Sequence, residues 1–137
     1  MKAVEIKKIG GPEVLELKDI KLADPSNGEV LIKQVAIGLN YIDTYHRSGL
    51  YPVPLPSGIG LEGAGIIEKV GSDTDGFNVG DKVCYAAAPI GSYATHRIYP
   101  TKSLVKVPDE IDLEIVAAIM TKGLTTFYLL HKTYKAK

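Results

Sequence analysis

The sequence has almost no cysteine. Cys84 is the one cysteine among 137 residues, which excludes a disulfide within the chain and any zinc site built from several of its own cysteines. A chain of this kind is typical of a reducing compartment, and we expect the cytoplasm. Because Cys84 lies in the apolar run KVCYAAA, we expect a buried structural thiol rather than a reactive one.

Neither sign of charge is in excess. Sixteen basic residues balance sixteen acidic ones, which removes the attraction on which nonspecific binding to nucleic acids or anionic membranes depends. The N-terminus, MKAVEIKK, alternates apolar and charged residues without an apolar signal region, and we expect no stretch long and apolar enough to span a membrane. We therefore predict a single globular domain over residues 1–137, with neither a nucleic acid nor a membrane as partner.

Short alternating runs separated by turn residues predict about seven β-strands. They lie at 2–7, 14–20, 29–37, 65–70, 81–86, 92–98 and 103–107. Three prolines within residues 51–58 predict a surface loop there. Many short strands favour a closed or rolled barrel, because closure removes unpaired sheet edges.

Two helical regions are predicted. The first covers 41–48, with Asn40 as N-cap and Gly49 as the left-handed terminator. The second begins after Asp112, and we expect Gly123 to break or bend it. Beyond Gly123 a second apolar stripe follows at helical spacing, made of Leu124, Phe127, Tyr128 and His131. The basic ending HKTYKAK predicts a solvated helix C-terminus.

Residues 58–63, GIGLEG, match the dinucleotide-binding pattern G-x-G-x-x-G. That motif works only between a strand and a helix. Here a proline-rich loop precedes it and the β-branched run GIIEKV follows. We therefore reject a pyrophosphate-binding role for these glycines.

The same residues, taken with their neighbours, resemble a known family. GLNYID at 38–43, GLEGAG at 60–65 and GDKV at 80–83 resemble, in order and spacing, the N-terminal GroES-like domain of the medium-chain dehydrogenases/reductases. The opening MKAVEIKKIGGPEVLEL and the close KGLTTFYLLHKTY are similar to the quinone oxidoreductase branch, the zeta-crystallin-like NADPH:quinone reductases. The resemblance implies a mainly β, partly open GroES-like barrel with C-terminal helices from about residue 112.

The family continues into a Rossmann domain that these 137 residues lack, so the resemblance implies that most cofactor contacts are absent. We expect a shortened chain, weak or inactive by itself. The apolar C-terminal helix would normally dock on the partner domain, and its exposed stripe predicts a homodimer or other self-association.

Two positions depart from the zinc-dependent alcohol dehydrogenases, which hold a catalytic zinc with G-x-C-x-x-D and G-H-E-G. Asn40 stands where the cysteine would be and Leu61 where the histidine would be, and neither can replace a thiolate or an imidazole. We therefore predict no metal site. Asp43 matches the aspartate that orients the lost histidine, so it either pairs with Arg47 or caps the local backbone.

Without a Lewis acid, reduction depends on hydrogen-bond donors that stabilise the developing oxyanion. Quinones and conjugated enones accept electrons readily, as the resemblance implies, and we predict Asn40, Tyr45 and Tyr51 as catalytic residues. Asn40, Tyr45, Lys122 and Thr125 are the predicted contacts of NADPH. Simpler roles stay open: Asn40 as an N-cap only, the tyrosines as rim packing, and Lys122 and Thr125 as helix-start residues. The alternative function is a non-catalytic remnant or an interaction module with the same fold.

Overall fold

The structure, a computed structural model, describes residues 1–134. Its strands form two antiparallel sheets, and one long helix follows them near the C-terminus. The strands are β1 (Lys2–Ile6), β2 (Glu16–Asp19), β3 (Glu29–Gly38), β4 (Ser57–Gly58), β5 (Glu62–Val70), β6 (Lys82–Ala86), β7 (His96–Pro100) and β8 (Val105–Lys106). The helices are α1 (Tyr41–Ser48) and α2 (Leu113–Phe127), with 3-10 turns at Pro12–Val14 and Thr101–Ser103.

The larger sheet has the order β7-β3-β5-β6-β8, and the smaller has the order β2-β1-β4. Within the described residues the two sheets do not close into one barrel. The prediction of a mainly β, partly open GroES-like fold is confirmed, whereas full closure is not seen.

The long strand β3 organises the larger sheet because it pairs with both β5 and β7. Three consecutive side chains of β3, at 30–32, are buried, which is why this segment is apolar without alternation. Val30 and Ile32 pack in a core that also contains Ile67, Val83 and the stacked pair Tyr85 and Tyr99. Arg97 lies over both tyrosine rings, and burial raises the pKa of Tyr85 to about 12.

The smaller sheet differs from the prediction in two places. Residues 12–14 form a 3-10 turn, so β2 begins at Glu16 and is shorter than predicted. Inside the proline-rich loop, β4 pairs with β1 through Ser57 and Gly58. An edge strand this short tolerates neighbouring prolines, because its outer side needs no N–H donors.

The glycine-rich run 58–63 leads directly into β5, which begins at Glu62 rather than at Gly65. A strand and not a helix follows the run, so the structural context that the dinucleotide motif requires is absent here. Gly60 adopts a φ of 95°, and a side chain there would collide with Ser92 and Tyr93. This glycine therefore serves a close approach between two loops.

Helix α2 begins as predicted, because the Asp112 carboxylate accepts from the Glu114 N–H at 2.7 Å. It packs Leu113, Val116 and Ala117 against Cys84. The expected break at Gly123 is wrong: α2 runs through this residue to Phe127 and continues as a π-helical segment, Tyr128–Thr133. One glycine costs a helix only about 1 kcal/mol, which the turns on both sides offset. Of the predicted basic ending, residues 135–137 lie outside the described residues.

Most of this helix is exposed. Its exposed large apolar side chains, which together we call the apolar helix surface, are Ile115, Ile119, Leu124, Phe127, Tyr128, Leu129 and Leu130. By length and composition alone, Leu113–Thr133 could cross a membrane, so the expectation that no stretch would qualify is wrong. A single helix of this kind is weak evidence for a span, because interface helices share the same composition.

Candidate active site

Helix α1 starts and ends where the sequence predicts. Asn40 has extended backbone angles at the N-cap, and Gly49 closes the helix in the left-handed region with a φ of 84°. The Asn40 N–H donates to Asp43 Oδ2 at 3.0 Å, a carboxylate at the third helical position that supports the first turn. These local bonds place the side chains of 40–48 beside the ends of β3 and β5.

The amide of Asn40 does more than cap α1. Its Nδ2 donates to Glu62 Oε2 at 2.6 Å, and its Oδ1 accepts from Lys122 Nζ at 3.5 Å. The structure thus brings together two predicted site residues, Asn40 and Lys122, that are 82 positions apart.

Glu62 is the site residue that sequence reasoning missed. Its side chain is fully buried, and its Oε1 accepts from the Thr121 backbone N–H of α2 at 2.6 Å. Gly38 faces it across the sheet, and a Cβ at Gly38 would collide with the Glu62 carboxylate and with the Ala117 carbonyl oxygen. The one available signal was a carboxylate inside the glycine and apolar run GLEGAG, because acidic residues are almost never fully buried without partners.

Tyr45 and Tyr51 meet on the other side of α1. Their rings pack edge to face with centroids 5.3 Å apart, and the Tyr51 N–H donates to the Tyr45 carbonyl at 3.1 Å. Tyr51 is half exposed, so part of this aromatic pair is accessible from solvent. The packing alternative and the catalytic prediction both fit this placement.

Asp43 connects the first turn of α1 to Tyr93, in the loop before β7. Its side chain is buried, and its Oδ2 also accepts from the Tyr93 hydroxyl at 3.0 Å. Burial and the neighbouring Asp43 carboxylate raise the pKa of Tyr93, so the phenol stays protonated and donates. Asp43 forms no ion pair with Arg47 among the described residues, and of the two predicted roles it performs the capping one.

Arg47 instead fixes the last turn of α1 to the connection between β1 and β2. Its Nε donates to the Gly10 carbonyl at 3.3 Å, and its own carbonyl accepts from the Gly10 N–H at 3.0 Å. One end of α1 is therefore held by the larger sheet through Glu62, and the other by the smaller sheet.

Thr125 lies one turn beyond Lys122 on the exposed side of α2. Its hydroxyl donates to the Thr121 carbonyl at 2.8 Å, an ordinary bond for a helical threonine. Both residues lie inside α2, which starts at Leu113, so the helix-start role considered for them is wrong.

The side chains at positions 40 and 61, which the sequence comparison set against the zinc ligands of the alcohol dehydrogenases, do not fit zinc. Asn40 presents an amide already bonded to Glu62, and Leu61 an alkyl side chain. Among residues 1–134 no three His, Cys, Asp or Glu side chains converge as a metal site. Cys84 is buried as predicted, and burial followed by the Glu62 charge raises the pKa of its thiol.

Comparison with known proteins agrees with the resemblance seen in the sequence. Residues 26–109 match the family model of the alcohol dehydrogenase GroES-like domain. A quinone oxidoreductase of Pseudomonas aeruginosa is 53% identical over 99% of this chain and 42% of its own length. A 2-haloacrylate reductase of a Burkholderia species is 42% identical over 98% of this chain and 42% of its own length.

Among solved structures, Escherichia coli quinone oxidoreductase complexed with NADPH matches with a TM-score of 0.98 and 46% identity, over 100% of this chain and 42% of that one. The chain thus spans about two fifths of the length of these relatives. Relatives with reductase names do not favour the alternative of an interaction module. The match over 26–109 shows that the chain belongs to the alcohol dehydrogenase GroES-like domain family.

Proposed function

We propose that this chain forms the substrate side of an NADPH-dependent reductase that acts on quinones or conjugated enones without a catalytic zinc ion. The observation that carries the proposal is the Asn40 amide, bonded to the buried Glu62 carboxylate and capped on its outward oxygen by Lys122. A buried carboxylate that orients a partly buried amide is costly to keep for packing alone.

The residues around Asn40 fit a dinucleotide cofactor. Lys122 offers an ammonium group, Thr125 a hydroxyl and Tyr45 a phenol, which together can bind amide, hydroxyl and phosphate oxygens. When bound, NADPH supplies the hydride for the reduction. The proposed contacts of this chain are Asn40, Tyr45, Lys122 and Thr125, and in the longer relatives the rest of the protein is available for further contacts.

Tyr45 and Tyr51 are proposed as donors to the substrate. As a carbonyl is reduced, its oxygen gains negative charge, and a positioned hydroxyl stabilises this charge more strongly than water does. The two rings pack edge to face, and each hydroxyl is proposed to donate to the substrate oxygen. With Asn40 they form the proposed catalytic set.

The substrate class follows from the weakness of this set. A simple ketone needs a Lewis acid or several strong donors, whereas quinones and enones accept electrons with less assistance. Two kinds of relatives support the choice, because one group is named for quinones and another for 2-haloacrylate, a conjugated acid. The single cysteine supports a cytoplasmic location, which stays a prediction.

The test uses the whole chain, labelled with 15N, and titrates NADPH and then menadione while NMR spectra are recorded. We expect shift changes at Asn40, Tyr45, Lys122 and Thr125 with NADPH, and at Tyr51 with the quinone. Turnover is measured in parallel as quinone-dependent loss of NADPH absorbance. We expect it to be slow, and unchanged by a chelator.

Tyr45→Phe and Tyr51→Phe should each lower any measured turnover by about tenfold or more, since each removes one donor. Tyr41→Phe is the matched control, because Tyr41 lies on the same helix and is largely exposed. Loss of turnover on chelation would contradict zinc independence. Absence of shifts at all five residues would favour the non-catalytic alternative.

A further inference from the structure

We infer that Glu62 is a positioning residue for the proposed site, and that its buried carboxylate fixes both Asn40 and Lys122. The inference deepens the proposed function and rests on it. According to this inference, Glu62 determines which hydrogen-bonding groups face outward at the site. These are the accepting oxygen of Asn40 and the donating ammonium group of Lys122.

The carboxylate lies between two N–H donors from different parts of the chain. Asn40 Nδ2 is 2.6 Å from one oxygen and the Thr121 backbone nitrogen is 2.6 Å from the other. An ionised carboxylate has only acceptors, and bonds this short are typical of charge-assisted pairs. Each oxygen of Glu62 therefore has a different task.

The first task is the orientation of the Asn40 amide. An amide has a donating nitrogen end and an accepting oxygen end, and ordinary structural data alone seldom distinguish the two. Here the chemistry decides, because only the nitrogen end can face a carboxylate. Oδ1 must then point away from Glu62, where it meets Lys122 Nζ at 3.5 Å.

The second task is the placement of Lys122. The Thr121 N–H belongs to α2, and Lys122 is the next residue in that helix. By accepting this bond, Glu62 fixes the turn from which Lys122 extends. Gly38 closes one side of the carboxylate, because a Cβ there would collide with Glu62 and with the Ala117 carbonyl oxygen, so the carboxylate cannot shift toward β3.

This arrangement divides the roles within the site. One Nδ2 hydrogen of Asn40 is taken by Glu62, so the group that Asn40 offers outward is mainly an acceptor. Lys122 becomes the outward donor on this side, while the phenols of Tyr45 and Tyr51 are the donors on the other. An amide group of a bound dinucleotide would find both an acceptor and a donor at Asn40 and Lys122.

The decisive variant is Glu62→Gln, which keeps the shape and removes the charge. A glutamine has one oxygen and one NH2 group, so it can accept from Thr121 or from Asn40 but not from both. The readout is the side-chain 15N–1H signal of Asn40 and its hydrogen-exchange rate, measured without any ligand. We expect one slowly exchanging Hδ2 in the native chain and exchange at least about tenfold faster in Glu62→Gln.

Two further variants separate positioning from general stability. Glu68→Gln makes the same change on the same strand at a more exposed side chain, and we expect it to leave the Asn40 signal unaltered. In the double variant Glu62→Gln with Asn40→Asp, the glutamine donates and the aspartate accepts. We expect it to recover most of the thermal stability lost in Glu62→Gln, because the bond is restored with reversed polarity.

Addition of NADPH gives the functional arm. We expect Glu62→Gln to raise by about tenfold the NADPH concentration that produces half of the shift change at Lys122. Glu68→Gln should leave this concentration unchanged. Unaltered hydrogen exchange at Asn40 in Glu62→Gln would overturn the inference. Rapid exchange of both Asn40 side-chain hydrogens in the native chain would also overturn it, and that measurement does not depend on the folding of a variant. If NADPH shifts nothing while Glu62→Gln still releases the Asn40 amide, the proposed function fails and the positioning role stands.

Discussion

The contact between β3, β5 and α2 can be tested with two glycines that the structure places in opposite situations. Gly38 is buried, and a Cβ there would collide with the Glu62 carboxylate and the Ala117 carbonyl oxygen. Gly123 lies inside α2, and a Cβ there meets no atom within 4 Å. The same substitution to alanine should therefore have opposite effects at the two positions.

We expect Gly38→Ala to lower the free energy of unfolding by about 2–3 kcal/mol, at the upper end of the cost of overpacking, because one of the clashing atoms belongs to the backbone. Gly123→Ala should raise it by about 0.5–1 kcal/mol, the difference in helix propensity between the two residues. For a chain of this size, 1 kcal/mol corresponds to about 3–5 °C in Tm.

Urea unfolding followed by circular dichroism measures both changes, with differential scanning fluorimetry as a second method. Gly38→Ala should also release the slowly exchanging Asn40 hydrogen, since Glu62 must move to make room. A Gly38→Ala chain as stable as the native one would refute the close approach of β3 to α2. A destabilised Gly123→Ala chain would refute the open, continuous helix.

Three further predictions concern other parts of the chain. The Lys106 ammonium and the Asn78 N–H hold the pKa of Asp81 below its usual range. The ionised Asp81 carboxylate therefore stabilises the fold above the unfolded pKa of about 3.9, and this contribution is lost as the pH falls through the lower pKa of the folded state. Asp81→Asn should flatten the acid side of a plot of urea midpoint against pH, and unchanged slopes would contradict this. Burial raises the pKa of Cys84, so Ellman's reagent should react with it about a hundredfold more slowly in the native chain than in denaturant; equal rates would show an accessible thiol. The apolar helix surface should bind a second copy of this chain, since no net charge opposes association. Light scattering should show a mass that rises with concentration and falls on Phe127→Ser, whereas a monomer at every concentration would count against it.

What the sequence could predict depends on the range of the interactions. Helix α1 matches the prediction at both ends because its signals, Asn40 and Gly49, act within a few residues. The break at Gly123 is wrong because a local cost of about 1 kcal/mol is smaller than the gain from continuing the helix. A local residue preference therefore sets the end of a helix only where the free energy of continuing the helix is smaller than that preference.

Glu62 could not have been found in the same way. Its partners lie 22 and 59 positions away along the chain, and neither distance produces a periodic pattern. Its role also depends on the empty space at Gly38, which is a property of two strands in register. The predicted residues Asn40 and Lys122 were found by resemblance, whereas the carboxylate that connects them required the fold.

The two anchors of α1 have a consequence for how such a domain can change. The amide end is tied to β5 and α2 through Glu62, while the tyrosine end is tied through Arg47 to Gly10. Substitutions in the turn after β1 can therefore tilt the phenols without disturbing the amide. For laboratory evolution, libraries at residues 8–11 should therefore reorient the end of α1 that carries Arg47, and leave the bonds of Asn40 to Glu62 and Lys122 intact.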